Sequence, residues 1–242
     1  MIETVIRKFR DLRLKNCAEN IDSMIKQAEQ NNLSVLQTID QLLDHEIEAR
    51  KTARIVLRYR QSKLTEKPTI DQFNFEYHAS RKKQKNQIIN LLDLEFIQQK
   101  KDIILIGNPG TGKSFLAKCL AYAATQAAIT TLFTSTMDML NQLIAAEADH
   151  SLLKKLSSYQ KPDLLVCDEI GYLPLGRQGS NLFFQVISAR HEKKSTIITT
   201  NLPFAQWGEV FDSTTVATAI ADRLVYNSEI LILEGKSYRK RS

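Results

Sequence analysis

The sequence contains little that would suit a secreted, disulfide-linked or metal-binding protein. Only three of its 242 residues are cysteine, and Cys17, Cys119 and Cys167 lie far apart. Because Cys119 and Cys167 have apolar neighbours, we interpret them as small core residues of a reduced, cytosolic protein. The four histidines show no metal-ligand spacing, so we expect no histidine-based metal site.

Long hydrophobic runs are also missing. No stretch approaches the roughly 18 consecutive apolar residues of a membrane-spanning helix. The first residues, MIETVIRKFRDLRLKN, mix charged and apolar side chains and lack the apolar core of a secretory signal. We therefore expect a cytoplasmic protein with no membrane partner.

Negative charge is scarce in one part of the chain. The whole protein has a net charge of +6, yet the segment 50–85 holds eleven basic and three acidic residues, which is eleven minus three or +8. A block of one sign this large favours a polyanionic partner. Its basic residues are Arg50, Lys51, Arg54, Arg58, Arg60, Lys63, Lys67, Arg81, Lys82, Lys83 and Lys85.

The N-terminal part of the chain is predicted to be helical. Ser34 is a good N-cap, and apolar residues follow at positions 35, 36, 39, 42, 43 and 47, the spacing of one helix face. No strand pattern occurs before about residue 100, and the mixed segment around Pro68 is interpreted as a linker. We therefore predict a helical N-terminal domain over 1–67 and a second domain over 68–242.

The second domain is predicted to be an α/β sheet. Continuous apolar runs without alternation favour parallel strands that are buried on both faces. Helical patterns such as KSFLAKCLAYAATQAA lie between most of these runs, as right-handed crossovers require. The predicted strands are IILI (103–106), TLFT (131–134), LLVC (164–167), TIIT (196–199) and ILIL (230–233).

A phosphate-binding loop is the strongest functional signal. GNPGTGKS follows the first predicted strand and precedes a predicted helix, which is the context that the G-x-x-x-x-G-K-[ST] motif requires. Lys113 is predicted to bind the β- and γ-phosphates of ATP, and Ser114 to hold Mg²⁺. The predicted nucleotide-binding residues are Gly107, Asn108, Pro109, Gly110, Thr111, Gly112, Lys113, Ser114 and Phe115.

Polar side chains follow the third and fourth predicted strands. Asp168 and Glu169 stand at the carboxyl end of LLVC, where ligands bind in open α/β sheets. Asp168 is expected to position Mg²⁺, and Glu169 to polarise the water that attacks the γ-phosphate. Asn201 could contact the γ-phosphate or that water if its strand neighbours the Asp168 strand; a capping or turn role is the alternative.

Taken in order, the loop, CDE, TTN and the closing DRL resemble the AAA+ ATPases of the replication-initiator and helicase-loader clade. Within it, the sequence is most similar to the IstB-type transposition helper ATPases of bacterial insertion sequences. The stretches that carry this resemblance cover nearly the whole chain. They are NLSVLQTIDQLLDHEIEAR, DQFNF, LIGNPGTGKSFLA, LLVCDEIGYLPL, FFQVISARHEKKSTIITTN and EILILEGKSYRKR.

The resemblance implies a five-stranded parallel AAA+ sheet preceded by a small all-α domain. It also implies an ATP hydrolase that assembles as a homo-oligomer on double-stranded DNA, with little sequence preference, and engages a transposase. Asp168 and Glu169 match the family's Walker B pair, and Asn201 matches its sensor I. The N-terminal helical domain would then bind DNA or a partner, and 68–242 would be the ATPase domain.

Arg223 matches the position of the family's arginine finger, which would reach the ATP of a neighbouring subunit. A local pair with Asp222 is the alternative. Arg190 is a second candidate for a subunit-interface or phosphate role. Few residues follow Arg223 and EILILE takes several of them, so we expect no C-terminal helical lid, as in IstB-type and DnaC-type proteins. Closure of the site, and hence hydrolysis, is then expected to depend on assembly.

Six basic residues are predicted to contact DNA phosphates, which lysine and arginine bind without reading sequence. Four occupy a predicted helix at spacings that put several on one face. Two lie between the second and third strands, where loader-type ATPases carry an extra helical element facing DNA. The alternative is that each is an ordinary solvated surface group. The six are Arg50, Lys51, Arg54, Arg58, Lys154 and Lys155.

Three other functions remain open at this point. A DnaC-type helicase loader shares the ATPase core and differs in what its N-terminal domain binds. A P-loop kinase for a small metabolite would need an acceptor pocket and basic lid residues, and no such segment is evident. A DNA-binding scaffold would use ATP only as a clamp and would not need Glu169.

Overall fold

The chain divides into two compact units, Met1–Leu57 and Arg58–Ser242. The computed structural model describes residues 1–238, so the basic residues that end the LEGKSYRKR stretch lie outside its described part. Among the described helices, none combines the length and the apolar content that a membrane crossing needs.

The first unit consists of the helices α1 (Ile2–Asp11) and α2 (Lys15–Gln30) and most of α3 (Val35–Gln61). Ser34 caps α3 as predicted. Its hydroxyl accepts a hydrogen bond from the Gln37 backbone N–H at 3.3 Å, and the Gln37 side chain accepts one from the Ser34 N–H at 2.9 Å. This reciprocal pair satisfies two N–H groups that the start of a helix leaves without a partner.

A buried carboxylate joins α2 to α3. Glu46 is 4% exposed, and its Oε2 accepts hydrogen bonds from the backbone N–H groups of Asn16 at 2.7 Å and Cys17 at 3.1 Å. These are among the free N–H groups at the start of α2. Arg50 donates to the other carboxylate oxygen at 2.7 Å and balances its charge. The apolar core beside it is small and consists of Cys17, Ile21, Met24 and Leu42.

The boundary between the units lies earlier than the one predicted at Lys67. Phe133, on the second strand, donates its backbone N–H to the Ser62 carbonyl at 2.8 Å. Leu64 is buried in the core of the second unit. The residues that follow Leu57 therefore complete the second unit instead of the helical one, because their backbone and side chains are used there.

The predicted linker is also wrong, since this segment is a folded part of the second unit. Phe73 and His78 are buried, with 5% and 9% of their surface exposed. Short helices follow before the first strand: α4 (Ala79–Lys83), α5 (Lys85–Asn90) and α6 (Glu95–Gln98). Sequence reading missed this packing because the segment has no apolar periodicity.

All five predicted runs form strands of one parallel sheet, in the order β2-β3-β4-β1-β5. The strands are β1 (Asp102–Ile106), β2 (Thr131–Ser135), β3 (Leu164–Ile170), β4 (Ser195–Thr200) and β5 (Ser228–Ile232). This confirms the predicted α/β class and the five-stranded sheet that the resemblance implied. No α-helix follows β5 in the described chain, which ends at Tyr238.

Helices cover both faces of the sheet, and alternate strand residues point to the two sides. Ile103, Leu105 and Ile197 pack in one apolar cluster, while Ile104 and Ile198 pack in the other. Burial on both faces explains why the strands lack alternating polarity. The helices between the strands are α7 (Lys113–Gln126), α8 (Thr136–Ala148), α9 (Leu152–Gln160), α10 (Gly176–Arg190) and α11 (Thr214–Tyr226).

Arg190 is a structural residue, and its predicted interface or phosphate role is wrong. It is 1% exposed, and burial lowers the pKa of its guanidinium to about 10. Its Nε donates to the hydroxyl of Thr196 at 3.1 Å. Its other nitrogens bind backbone carbonyls that end α9 and begin β4. These carbonyls belong to Tyr159, Gln160, Pro162 and Ser195.

We expect Arg190→Met to lower the free energy of unfolding by about 3 kcal/mol or more, because it leaves several buried carbonyls without a donor. Chemical denaturation measures this. Arg177→Met removes the same charge from an exposed position of the same helix and is the control, expected to change stability little. An Arg190→Met protein as stable as the parent would contradict the structural role.

Candidate nucleotide site

The phosphate loop connects β1 to α7, as predicted. Gly112 precedes α7 in the left-handed region, with φ of +98°. Lys113 begins the helix, is 6% exposed, and donates hydrogen bonds from Nζ to the carbonyls of Gly107 at 2.7 Å and Asn108 at 3.0 Å. These bonds fold the lysine side chain back over the loop, so its ammonium group lies where phosphates bind in such loops.

Two glycines of the loop have no room for a side chain. A Cβ at Gly107 would lie 2.1 Å from the carbonyl oxygen of Leu233, which follows β5. A Cβ at Gly112 would lie 2.6 Å from Nη2 of Arg81. The motif glycines therefore serve two purposes, since they bring the backbone close to a ligand and also allow neighbouring segments to pack against the outside of the loop.

A threonine that sequence reading missed holds both acidic residues. The Thr199 hydroxyl donates to Asp168 Oδ1 at 2.5 Å and accepts the backbone N–H of Glu169 at 2.8 Å. The pairing of β3 with β4 shifts register between Cys167 and Ile170, and Glu169 there has a φ of +64°. This bulge exposes Glu169 at the carboxyl end of β3 while Asp168 stays buried, as bulges beside active sites often do. The two threonines of TTN were the sequence feature that could have pointed to Thr199.

Asn201 follows β4, which pairs in parallel with β3 on one side and with β1 on the other. This is the adjacency that a catalytic interpretation of Asn201 required. Its side-chain Oδ1 is buried and has no hydrogen-bond partner among the described residues. A buried amide oxygen without a donor costs free energy. Asn201 is not among the residues that line the nucleotide cleft, so its contact with the γ-phosphate or the attacking water stays a prediction.

The cleft is completed by residues from both ends of the second unit, which sequence reading did not identify as site residues. Phe73 and Arg81 precede β1, and Tyr238 follows β5. They line the cleft together with Lys113, Ser114 and Glu169. DQFNF and the end of the chain belonged to the stretches that carry the family resemblance, but nothing in the sequence placed them beside the loop.

The donor set fits magnesium-ATP. The backbone N–H groups of the loop, together with the N-terminus of α7 and Lys113, are suited to bind phosphate oxygens. The Ser114 hydroxyl and the Asp168 carboxylate are oxygen ligands of the kind that Mg²⁺ prefers. The described residues contain no group of three or more His, Cys, Asp or Glu that could hold a metal alone. Mg²⁺ at phosphate sites takes its remaining ligands from phosphate and water.

Arg223 lies in the last turn of α11 and does not line this cleft. Its Nη1 donates to the Ala219 carbonyl at 2.7 Å, and its guanidinium lies 4.7 Å from the centre of the Phe184 ring. Within the described chain it forms no ion pair with Asp222. The local alternative is therefore not observed, and the finger role stays a prediction about a neighbouring subunit.

The predicted DNA-binding residues differ in their surroundings. On α3, Arg50 and Lys51 form ion pairs with Glu46 and Glu48, and Arg54 is exposed. In the second unit, Arg58 donates to the Ala128 carbonyl at 3.2 Å and is partly buried. Lys154 and Lys155 lie on α9. Lys154 is exposed, while the Lys155 ammonium lies 5.8 Å from the centre of the Tyr159 ring.

Comparison with known proteins agrees with this geometry. The profile of the IstB-like ATP binding protein family matches residues 7–242. An ATP-binding protein of insertion sequence IS232 from Bacillus thuringiensis is 36% identical over 94% of this chain and 90% of its own length. One of insertion sequence IS5376 from Geobacillus stearothermophilus is 37% identical over 100% of this chain and 95% of its own.

Among solved structures, the DnaC helicase loader superposes with a TM-score of 0.59 at 23% identity, over 68% of this chain and 96% of its own. AMPPCP-bound DnaA from Aquifex aeolicus gives 0.60 at 17% identity, over 73% of this chain and 53% of its own. At these identities the likeness establishes the fold. The family profile and the relatives go further, and the chain belongs to the IstB-like ATP-binding proteins of insertion sequences.

Proposed function

We propose that this protein is an ATP hydrolase that assembles as an oligomer on double-stranded target DNA and engages the transposase of its insertion sequence. The observation that carries the proposal is the meeting of the phosphate loop, Asp168 with Glu169, and Asn201 at the carboxyl ends of three adjacent strands. The relatives, which are named for insertion sequences, support the biological setting.

In this proposal each residue has a separate role in hydrolysis. Lys113 and the loop N–H groups bind the phosphates, while Ser114 and Asp168 hold Mg²⁺, which would neutralise developing phosphate charge. Glu169, held by Thr199 at its backbone N–H, polarises the attacking water, and Asn201 orients that water or the γ-phosphate. A nucleotide clamp that never hydrolyses ATP would not need an exposed carboxylate in this position.

Assembly completes the site in the proposed mechanism. Arg223 lies outside the cleft of its own chain, so it would act on the ATP of the next protomer. A cation that approaches the transferred phosphoryl group stabilises its developing charge. Cytoplasmic location follows from the same setting, because bacterial target DNA lies in the cytoplasm.

A DnaC-type helicase loader is the second candidate function. It is considered because this chain shares the fold of the DnaC loader. The proposal of a transposition helper is preferred because the family profile covers residues 7–242 and so includes the N-terminal helices. Pull-down with the transposase of the same element, compared with a replicative helicase, separates the two functions.

We expect Glu169→Gln to reduce ATP hydrolysis by about 10²-fold or more while nucleotide binding is retained, because water loses its base. The variant should accumulate as an ATP-bound complex on duplex DNA. Steady-state phosphate release and gel-shift experiments measure the two effects. Glu209→Gln changes an exposed carboxylate outside the cleft and should behave as the parent. Unchanged turnover in Glu169→Gln would favour the clamp.

Turnover per protomer should rise with protein concentration, and Arg223→Ala should lower it by about a thousandfold where the parent protein is assembled and much less at high dilution. Phosphate release across a dilution series measures this. Mixing Arg223→Ala with Glu169→Gln is a sharper test, since each variant supplies the group that the other lacks at a shared interface. Activity in the mixture would confirm action between subunits, and none would indicate that Arg223 acts within its own chain.

Duplex binding should weaken steeply with salt, because lysine and arginine displace counterions from DNA. In Lys51→Gln/Arg54→Gln, the slope of log Kd against log salt concentration should fall by about two, at roughly one per lost phosphate contact. Fluorescence anisotropy with an ATP analogue measures the slope. Lys26→Gln removes an exposed charge on α2 and is the control. An unchanged slope in the double variant would exclude these two residues as contacts.

A further inference from the structure

A buried arginine lies against the outside of the phosphate loop. Arg81, on α4, is 3% exposed and belongs to the wall of the nucleotide cleft. It was one of the basic residues whose charge suggested a polyanionic partner, yet it has no surface to offer to DNA. Its burial beside a phosphate site raises the question of what a cation does there.

The guanidinium grips one carbonyl of the loop with two of its nitrogens. Arg81 Nε donates to the Thr111 carbonyl oxygen at 3.1 Å, and Nη2 donates to the same oxygen at 2.6 Å. The third nitrogen, Nη1, donates to the Asn74 carbonyl at 2.9 Å. Arg81 thereby ties the loop to the segment that precedes β1.

Aromatic rings hold the guanidinium in this orientation. Its centre lies 4.3 Å from the centre of the Phe73 ring and 5.3 Å from that of Tyr238. Arginine stacks on such rings because its charge is delocalised and weakly hydrated. Among the described residues, no carboxylate forms an ion pair with Arg81. Burial lowers the pKa of its guanidinium, and an anion in the adjacent cleft would compensate this cost.

The Thr111 carbonyl belongs to the same rigid peptide group as the Gly112 N–H. In a trans peptide, the C=O of Thr111 and the N–H of Gly112 lie in one plane and point in opposite directions. Drawing the Thr111 oxygen toward Arg81 therefore turns the Gly112 N–H away from Arg81. Because Gly112 has φ of +98° and no Cβ, its own conformation opposes rotation of this peptide less than another residue would.

We propose that Arg81 is a positioning residue for nucleotide phosphates: it fixes the Thr111–Gly112 peptide so that the Gly112 N–H faces the phosphate site. This inference rests on the proposed function, since it assumes that the loop binds a nucleotide. Arg81 acts through the loop and touches no reacting atom. Its positive charge also raises the potential at the site, where the nucleotide supplies the negative charge.

The test compares ADP with AMP, which offers the loop one phosphate fewer. We expect Arg81→Met to weaken ADP binding by roughly tenfold or more, because a misdirected donor loses a charge-assisted hydrogen bond. AMP binding should change much less. Arg81→Lys keeps the charge but cannot grip one oxygen with two nitrogens in a plane, and it should fall between the parent and Arg81→Met. Isothermal titration with Mg²⁺ and each nucleotide measures the dissociation constants.

Lys82→Met is the matched control, because Lys82 is the next residue and its exposed ammonium pairs with Glu76 at 2.8 Å. It loses the same charge without contacting the loop and should bind ADP as the parent does. Thermal unfolding without nucleotide, measured on all variants, reports any purely structural effect. Should Arg81→Met fail to fold, Arg81→Lys provides the ADP-to-AMP comparison.

Equal weakening of ADP and AMP in the Arg81 variants would overturn the inference, since it would mean that Arg81 only supports the wall of the cleft. Unchanged ADP binding would overturn it as well, whatever the unfolding temperature. Failure of the parent protein to bind any nucleotide would instead refute the proposed function. The failures of the two proposals are therefore distinguishable.

Discussion

The site depends on the central position of β4 in a parallel sheet. Because β4 pairs with both β1 and β3, the carboxyl ends of these three strands meet at one edge. Each strand end contributes one part of the chemistry: the phosphate loop, the acidic pair and Asn201. Thr199 then ties β4 to the acidic pair through bonds to Asp168 and Glu169. The candidate nucleotide site therefore depends on strand order as much as on the motifs.

Two buried arginines illustrate how similar chemistry serves different purposes. Arg190 binds only groups of the protein at the opposite ends of the strands, and joins the start of β4 to the end of α9. Arg81 binds the outer side of the phosphate loop, next to a cleft that suits an anion. A buried cation is costly unless it is well hydrogen-bonded, and both meet this cost with carbonyl oxygens. Only Arg81 can also gain from a ligand.

Much of the fold and part of the site could be predicted from the sequence. All five strands and the Ser34 cap were found because burial on two faces and helix capping leave local patterns. The place of the phosphate loop between β1 and α7 was found because the motif requires that context, while the roles of its residues stay predictions. The predicted boundary at Lys67 and the linker around Pro68 were wrong. The residues after Leu57 belong to the second unit, and their irregular packing in its core leaves no periodic signal in the sequence.

By itself, then, the sequence determined what is local along the chain: strands, caps, the phosphate loop and the acidic pair that ends β3. The tertiary structure decided which distant segments meet. It placed Thr199 under both acidic residues, Arg190 inside the core, and Arg81 with Tyr238 beside the loop. The physical reason is that a hydrogen bond depends on positions in space, whereas residues far apart in sequence carry no mark of the partner that folding brings to them.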